Sequence, residues 1–123
     1  MNSFARTEVL IRRGDPLPDF EEHGVSLSHH FVGNEYAKVF EVPAGKVIGQ
    51  HVHKFGHPAI LMIGIARVHV NGVMTEYVAP EKIYIDANAQ HCVEAVTDIL
   101  WACLWPNEIG ATTPEEIDDE VIA

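Results

Sequence analysis

Apolar residues along this chain come in short runs, and almost every run is closed by Gly, Pro, Asn or Asp. Short, punctuated apolar runs are the mark of β-strands. They predict strands over residues 7–12, 26–32, 37–42, 47–53, 59–63, 66–70, 73–78, 82–85, 91–96 and 99–104. The punctuation is specific. Pro43-Ala44-Gly45 reads as a turn, and Thr97-Asp98 as a second, tight one. Asn71-Gly72 between Val70 and Val73 is the strongest hairpin signal, because Asn and Gly both tolerate the positive φ of a type I′ turn. Ten short strands at this spacing predict an all-β sandwich or small barrel.

One stretch departs from the strand pattern. Thr113 can cap a helix, Pro114 suits its first position, and Glu116 completes a capping box. Glu115 and Glu116 place negative charge where the helix dipole favours it. A short helix over 114–121 is predicted.

A length of 123 residues suits a single domain, 1–123, with a real core, and 47% hydrophobic residues mark a globular chain. The net charge of −10 argues against nucleic acid and anionic membranes as partners. No apolar run reaches the length of a membrane span, and residues 1–15 lack the apolar centre of a secretory signal. Cys92 and Cys103 both fall in apolar runs. They read as reduced, buried thiols of a cytoplasmic protein, with a cross-strand disulfide as the alternative.

The candidate chemistry lies in histidine. Of eight histidines, His51, His53 and His57 share one short run, and His91 opens a later strand. Alternation along a strand puts His51 and His53 on the same face. Lys54-Phe55-Gly56 can then turn the chain and bring His57 beside them, while His91 enters from across a closed sheet. Neutral imidazole is the commonest protein ligand for transition metals. His23, His29, His30 and His69 read instead as surface or packing residues. His29 and His30 point to opposite faces and make a poor chelating pair, and His69 beside the hairpin is expected to be exposed.

The run Gly45, five residues, His51-Val52-His53, three residues, His57, six residues, Gly64 resembles the first motif of the cupin superfamily. That motif reads G, five residues, H-x-H, three or four residues, E, six residues, G. The spacing matches throughout, with His57 standing where most cupins have Glu. The second motif, G, five residues, P-x-G, two residues, H, three residues, N, is present in outline over 80–95. Pro80, Asp86, Asn88 and Ala95 replace its Gly, Pro, second Gly and Asn, and His91 keeps its histidine. Asn88 is a sensible replacement for glycine because Asn tolerates a left-handed backbone. The resemblance implies a double-stranded β-helix (cupin, jelly-roll) barrel, often paired as a homodimer. It is closest to the small single-domain cupins with a four-histidine metal site, some of which bind manganese. His51, His53, His57 and His91 are then the implied ligands.

Imidazole in place of carboxylate at 57 removes one negative charge beside the metal. That disfavours the trivalent state and strengthens the metal as a Lewis acid. Manganese or iron is expected first, then nickel, zinc or copper, which imidazole-rich sites also take readily. Six-coordination would leave two adjacent positions for water, dioxygen or a bidentate substrate.

If the histidines face inward, alternation brings Val47, Gly49, Ala59, Leu61, Ile63, Val93 and Ala95 to the same side. This lining is apolar. Tyr84, Phe40, Trp101 and Cys103 are candidates to stand behind the ligands, with core packing as the plainer role for each. No evident acid or base appears in these strands. That favours chemistry run by the metal and disfavours a sugar epimerase. A metal-dependent, dioxygenase-like oxidoreductase acting on a small organic substrate is the leading expectation. The alternatives are a metal-dependent lyase, isomerase or hydrolase, with Tyr84 as its first candidate base, and a non-catalytic small-molecule binding module.

Overall fold

The computed structural model describes residues 24–49 and 53–121. Nine strands and one helix follow in order: β1 (Ser26–Val32), β2 (Glu35–Val42), β3 (Val47–Gly49), β4 (His57–Ile63), β5 (Ile65–Val70), β6 (Val73–Val78), β7 (Glu81–Ile85), β8 (His91–Ala95), β9 (Ile99–Pro106) and α1 (Pro114–Val121). The strand expected over 7–12 lies outside the described residues. All pairings are antiparallel, in a larger sheet ordered β1-β2-β9-β4-β7 and a smaller one ordered β3-β8-β5-β6. The two sheets face each other across a common core in a cupin-type jelly-roll barrel. Phe40, Leu61 and Trp101 of the larger sheet meet Ile48, Val68 and Val93 of the smaller.

The turns form where the sequence places them. Asn71 and Gly72 take φ of 48° and 84° and join β5 to β6, with Val70 paired to Val73. Asn88 takes φ of 60°, the left-handed conformation expected of it. Gly64 has φ of 93°, and a side chain there would collide with the carbonyl of Asp98. Gly45 donates its N–H to Ala95 at 2.8 Å, so the first residue of motif one meets the last of motif two.

The helix carries its cap. The Thr113 hydroxyl donates to Glu116 at 3.0 Å and accepts the Glu116 N–H at 3.4 Å. Glu116 also accepts the Thr112 N–H at 3.3 Å. These donors hold its carboxyl below the ordinary carboxylate range. Ile117 anchors α1 in the core.

Strict alternation fails in two places. Ile63 is 59% exposed, although it was counted to the inner face. The β4–β9 register shifts between Leu61 and Ile63, and such an irregularity turns the following side chain over. In β3, Ile48 is in the core and Val47 only half-buried. Ile48 pairs with the inward Val93, whereas Val47 and Gly49 pair with Glu94 and Cys92 on the other face. Of the strand expected over 47–53, the described part is Val47–Gly49, and residues 50–52 lie outside the described residues.

Cys92 and Cys103 are buried free thiols. Burial pushes the Cys103 thiol up to about 12, against a smaller opposing effect of the Trp101 indole, which donates to its Sγ at 3.2 Å. No helix among the described residues is long and apolar enough to cross a membrane.

Candidate metal centre

Three of the four candidate ligands, His53, His57 and His91, come together, each offering a ring nitrogen within 4.8 Å of the others. His51 lies outside the described residues. Sequence neighbours do not build this cluster alone. His57 opens β4 in the larger sheet, and His91 opens β8 in the smaller. His53 sits in the connection between β3 and β4. Its carbonyl accepts the Asn88 N–H at 2.8 Å, which ties the first histidine run to the turn preceding His91. His57 faces Ile85 across β4–β7, and His91 faces Val70 across β5–β8.

The residue before His91 is held twice. Asn71 donates its backbone N–H to the Gln90 carbonyl at 2.8 Å, and its side-chain Oδ1 accepts the Gln90 N–H at 3.0 Å. The hairpin asparagine thereby fixes the approach of a candidate ligand.

All three imidazoles are buried, at 5%, 1% and 3% exposure for His53, His57 and His91. Desolvation is the largest influence on His57, followed by His91, and together they push it down to about 3. His91 is also lowered by burial, against a smaller upward effect of the Ala89 carbonyl. His57 and His91 are therefore neutral at pH 7, the form that ligates metal.

Hydrogen bonding sharpens the fit. The His91 Nδ1 lies 3.2 Å from the Ala89 carbonyl, so a proton there donates to it and leaves a lone pair on Nε2. This arrangement fixes the tautomer of many metal-binding histidines. The His91 Nε2 and both ring nitrogens of His57 have no partner among the described residues. Orphaned buried nitrogens cost free energy, and a shared cation converging on them is the ligand that removes that cost. The donor set suits a divalent transition metal and does not select one.

Trp105 is the pocket residue that sequence reasoning missed. Its indole stacks on His57, with centroids 4.4 Å apart, and approaches His53 at 4.9 Å. Its Nε1 is buried without a partner among the described residues. The signal was present in the sequence, since Trp105 continues the alternation of Trp101 and Cys103 one step beyond the expected strand end. Trp105 also borders a cleft of about 290 Å³ lined by Phe55, Glu108, Ile109 and Ile117. A cleft of about 320 Å³ lies away from the histidines, lined by Val42, Pro43, Ile63 and Leu100.

Of the four residues expected behind the ligands, Tyr84 sits elsewhere, and Phe40, Trp101 and Cys103 are in the core. Tyr84 is 63% exposed. It pairs with Pro58 on the outer face of the larger sheet and lies over the backbone of Gly56, so it cannot serve as a base inside the pocket. Phe40 pairs with Trp101, and both lie in the hydrophobic core. Cys103 pairs with Ala59, one inward step from His57 and Trp105. Of the other histidines, His23 lies outside the described residues. His30 is exposed and bonded to Ser28, His69 is half-buried rather than exposed, and His29 bonds to Tyr36.

No protein-family model matches the chain, and no curated protein matches its sequence. Solved structures match its shape. An RmlC-like cupin from Shewanella frigidimarina aligns over 76% of this chain and 81% of its own, with a TM-score of 0.61 and 17% identity. A cupin 2 conserved barrel domain protein from Salinispora arenicola aligns over 77% and 90%, with a TM-score of 0.61 and 17% identity. A predicted oxalate decarboxylase from Thermotoga maritima aligns over 67% and 80%, with a TM-score of 0.58 and 20% identity. Strand order, motif positions and these likenesses agree: the chain has the cupin fold, with three buried histidines gathered between its sheets.

Proposed function

We propose that this protein is a metal-dependent oxidoreductase of the dioxygenase type acting on a small organic substrate. One observation carries the reading. Among the described residues, the buried side chains outside the hydrophobic and aromatic set are His53, His57, His91 and Asn107. Asn107 is occupied, donating to the Ala111 carbonyl at 2.9 Å and accepting the Ala111 N–H at 2.8 Å. No buried carboxylate or lysine among the described residues stands beside the three histidines to serve as a base. Chemistry in such a site falls to the metal.

In this reading His53, His57 and His91 hold a divalent ion, with His51 as the fourth ligand. Manganese or iron is preferred over nickel, zinc and copper. When bound, the ion supplies Lewis acidity and a redox couple to oxygen ligands in its open positions. The chain's own part is to keep the imidazoles neutral, to exclude water with Trp105, Ile85 and Val93, and to admit substrate beside Trp105. The substrate is small and carries an oxygen pair able to chelate. A homodimer in a reducing, cytoplasmic setting completes the proposal.

The test is the metal content of protein purified without added metal or a histidine tag, measured by elemental mass spectrometry for wild type and His53→Ala. About one manganese or iron per chain, lost in the variant, supports the proposal, as does oxygen consumption with a candidate substrate. Zinc or nickel would move the weight to a lyase, isomerase or hydrolase. Metal content unchanged in His53→Ala would remove the basis of the site. A thermal shift with small molecules but no turnover would favour a binding module.

A further inference from the structure

On the inner face of the larger sheet, four rings succeed one another across four neighbouring strands. His57 of β4 stacks on Trp105 of β9 with centroids 4.4 Å apart and planes inclined by 28°. Trp105 stacks on Tyr36 of β2 at 5.9 Å and 26°. Tyr36 lies parallel to His29 of β1 at 6.0 Å and 9°. The Tyr36 hydroxyl and the His29 Nδ1 are 2.7 Å apart. Trp105 and Tyr36 are 3% and 1% exposed, whereas His29 reaches solvent. Tyr36 and Trp105 are also direct cross-strand partners, so the sheet register fixes their contact.

Tryptophan and tyrosine are the side chains most readily oxidised by one electron, and close stacking lets the vacancy pass between them. A tyrosine gives up its electron readily only if its proton has somewhere to go. We propose that Trp105 and Tyr36 form a relay that carries an oxidising equivalent from the histidine pocket to Tyr36, with His29 at the surface taking the phenolic proton. This rests on the redox reading of the pocket and extends it to residues outside the cluster.

The steps balance. A one-electron oxidant of the dioxygen- or peroxide-derived class, acting in the pocket, gains the electron that Trp105 loses. Oxidised Trp105 takes an electron from Tyr36, and the phenolic proton moves to the His29 Nδ1. The products are restored Trp105, a neutral Tyr36 radical and protonated His29. A thiol-class reductant at the surface returns one electron, His29 returns the proton, and the O–H bond reforms. Burial and the nearby Lys38 and His30 hold His29 below its ordinary value, against a smaller upward effect of Glu115, which leaves Nδ1 able to accept. The relay would draw a misfired oxidant away from the ligands and discharge it outside.

The chain has two tryptophans and three tyrosines, so the test can be made specific. In metal-free Tyr77→Phe/Tyr84→Phe protein, Tyr36 is the sole tyrosine. Pulse radiolysis with azide radicals oxidises tryptophan, and transient absorption follows what becomes of it. The expected result is a first-order, concentration-independent decay of the tryptophan radical with matching growth of the tyrosyl radical. Adding Trp105→Phe should abolish that growth, and adding His29→Gln should slow it at least tenfold. Thermal melts of each variant verify folding. Tyrosyl growth undiminished without Trp105, or no growth with Trp105 present, would overturn the relay. An unchanged rate in His29→Gln would overturn its proton step. The measurement uses no metal, so its failure is distinct from a failure to find metal in the purified protein.

Discussion

The indole of Trp105 lies almost parallel to the imidazole of His57, with ring centroids 4.4 Å apart. Across the strand from Trp105, His57 faces Ile85, so a candidate ligand is clamped between two apolar side chains. A ring held this way has little freedom to rotate. The cluster is therefore prepared before any ion arrives, and its orientation comes from packing more than from hydrogen bonds.

Removing that clamp should cost both stability and metal retention. Trp105→Ala is expected to destabilise the fold by about 3–5 kcal/mol, the usual cost of deleting a buried large aromatic. Trp105→Phe keeps a ring against His57 and should cost about half as much or less. Urea titration of the metal-free proteins gives the stabilities, and competition with a chelator gives the metal affinities. Affinity in Trp105→Ala within twofold of wild type would mean that stacking does not orient His57.

The buried imidazoles make metal-free stability depend on pH in a definite direction. His57 is held at about 3 in the fold against 6.5 as its ordinary value, with burial as the main cause. Between those values the unfolded chain binds a proton that the folded chain refuses. His57 thus contributes full stability above pH 6.5, and that contribution drains away as pH falls toward 3. The slope for one such group is about 1.4 kcal/mol per pH unit. His91, lowered in the same direction, adds to it. Urea midpoints measured from pH 8 down to pH 4 should fall steadily, and a flat profile would contradict neutral, buried histidines.

Much of this arrangement was legible in the sequence, for identifiable reasons. The hairpin at Asn71-Gly72, the left-handed Asn88 and the capped helix at Thr113 are local chemistry, and local chemistry is written in neighbouring residues. The grouping of His53, His57 and His91 was readable because motif spacing carries it. Features set by register were not readable. Alternation assigned Ile63 and Val47 inward, but a shift in the β4–β9 pairing and the alignment of Ile48 with Val93 decide otherwise. Tyr84 failed for the same reason: its partner is Pro58, on the outer face. Trp105 was missed because the expected strand stopped at Leu104, one residue short of the next step in the Trp101–Cys103 alternation, whereas β9 pairs with β2 as far as Pro106.

The two glycines that bound the first motif should respond differently to alanine. Both have positive φ, 84° at Gly45 and 93° at Gly64, which costs an alanine about 1 kcal/mol in each case. Around Gly45 there is open space, so the cost should end there. At Gly64 an added methyl would collide with the Asp98 carbonyl and approach the Thr97 hydroxyl at 2.6 Å. Gly64→Ala should therefore destabilise by about 2 kcal/mol more than Gly45→Ala, in line with the penalty for overpacking. Thermal or urea melts of the two single variants decide the matter, and equal losses would show that the Gly64 turn yields freely.

His57→Glu restores the residue most cupins carry, and its effect on the metal-free protein should reverse the pH response. A carboxylate between Trp105 and Ile85 is desolvated, so its pKa must rise above that of an exposed glutamate. Below pH 4 the carboxyl is neutral in both folded and unfolded states and costs little. As pH rises, the unfolded chain ionises first, and stability is lost until the folded carboxyl ionises in turn. Wild type gains stability over the same range as His57 comes to be neutral in both states, so the two profiles should diverge upward in pH. At pH 8 the metal-free variant should be less stable by a few kcal/mol, the usual cost of a poorly paired buried polar group. A bound divalent ion neutralises the carboxylate, so saturating manganese should raise the variant's melting temperature more than it raises that of wild type. Parallel pH profiles, or equal shifts with manganese, would place His57 outside the metal centre.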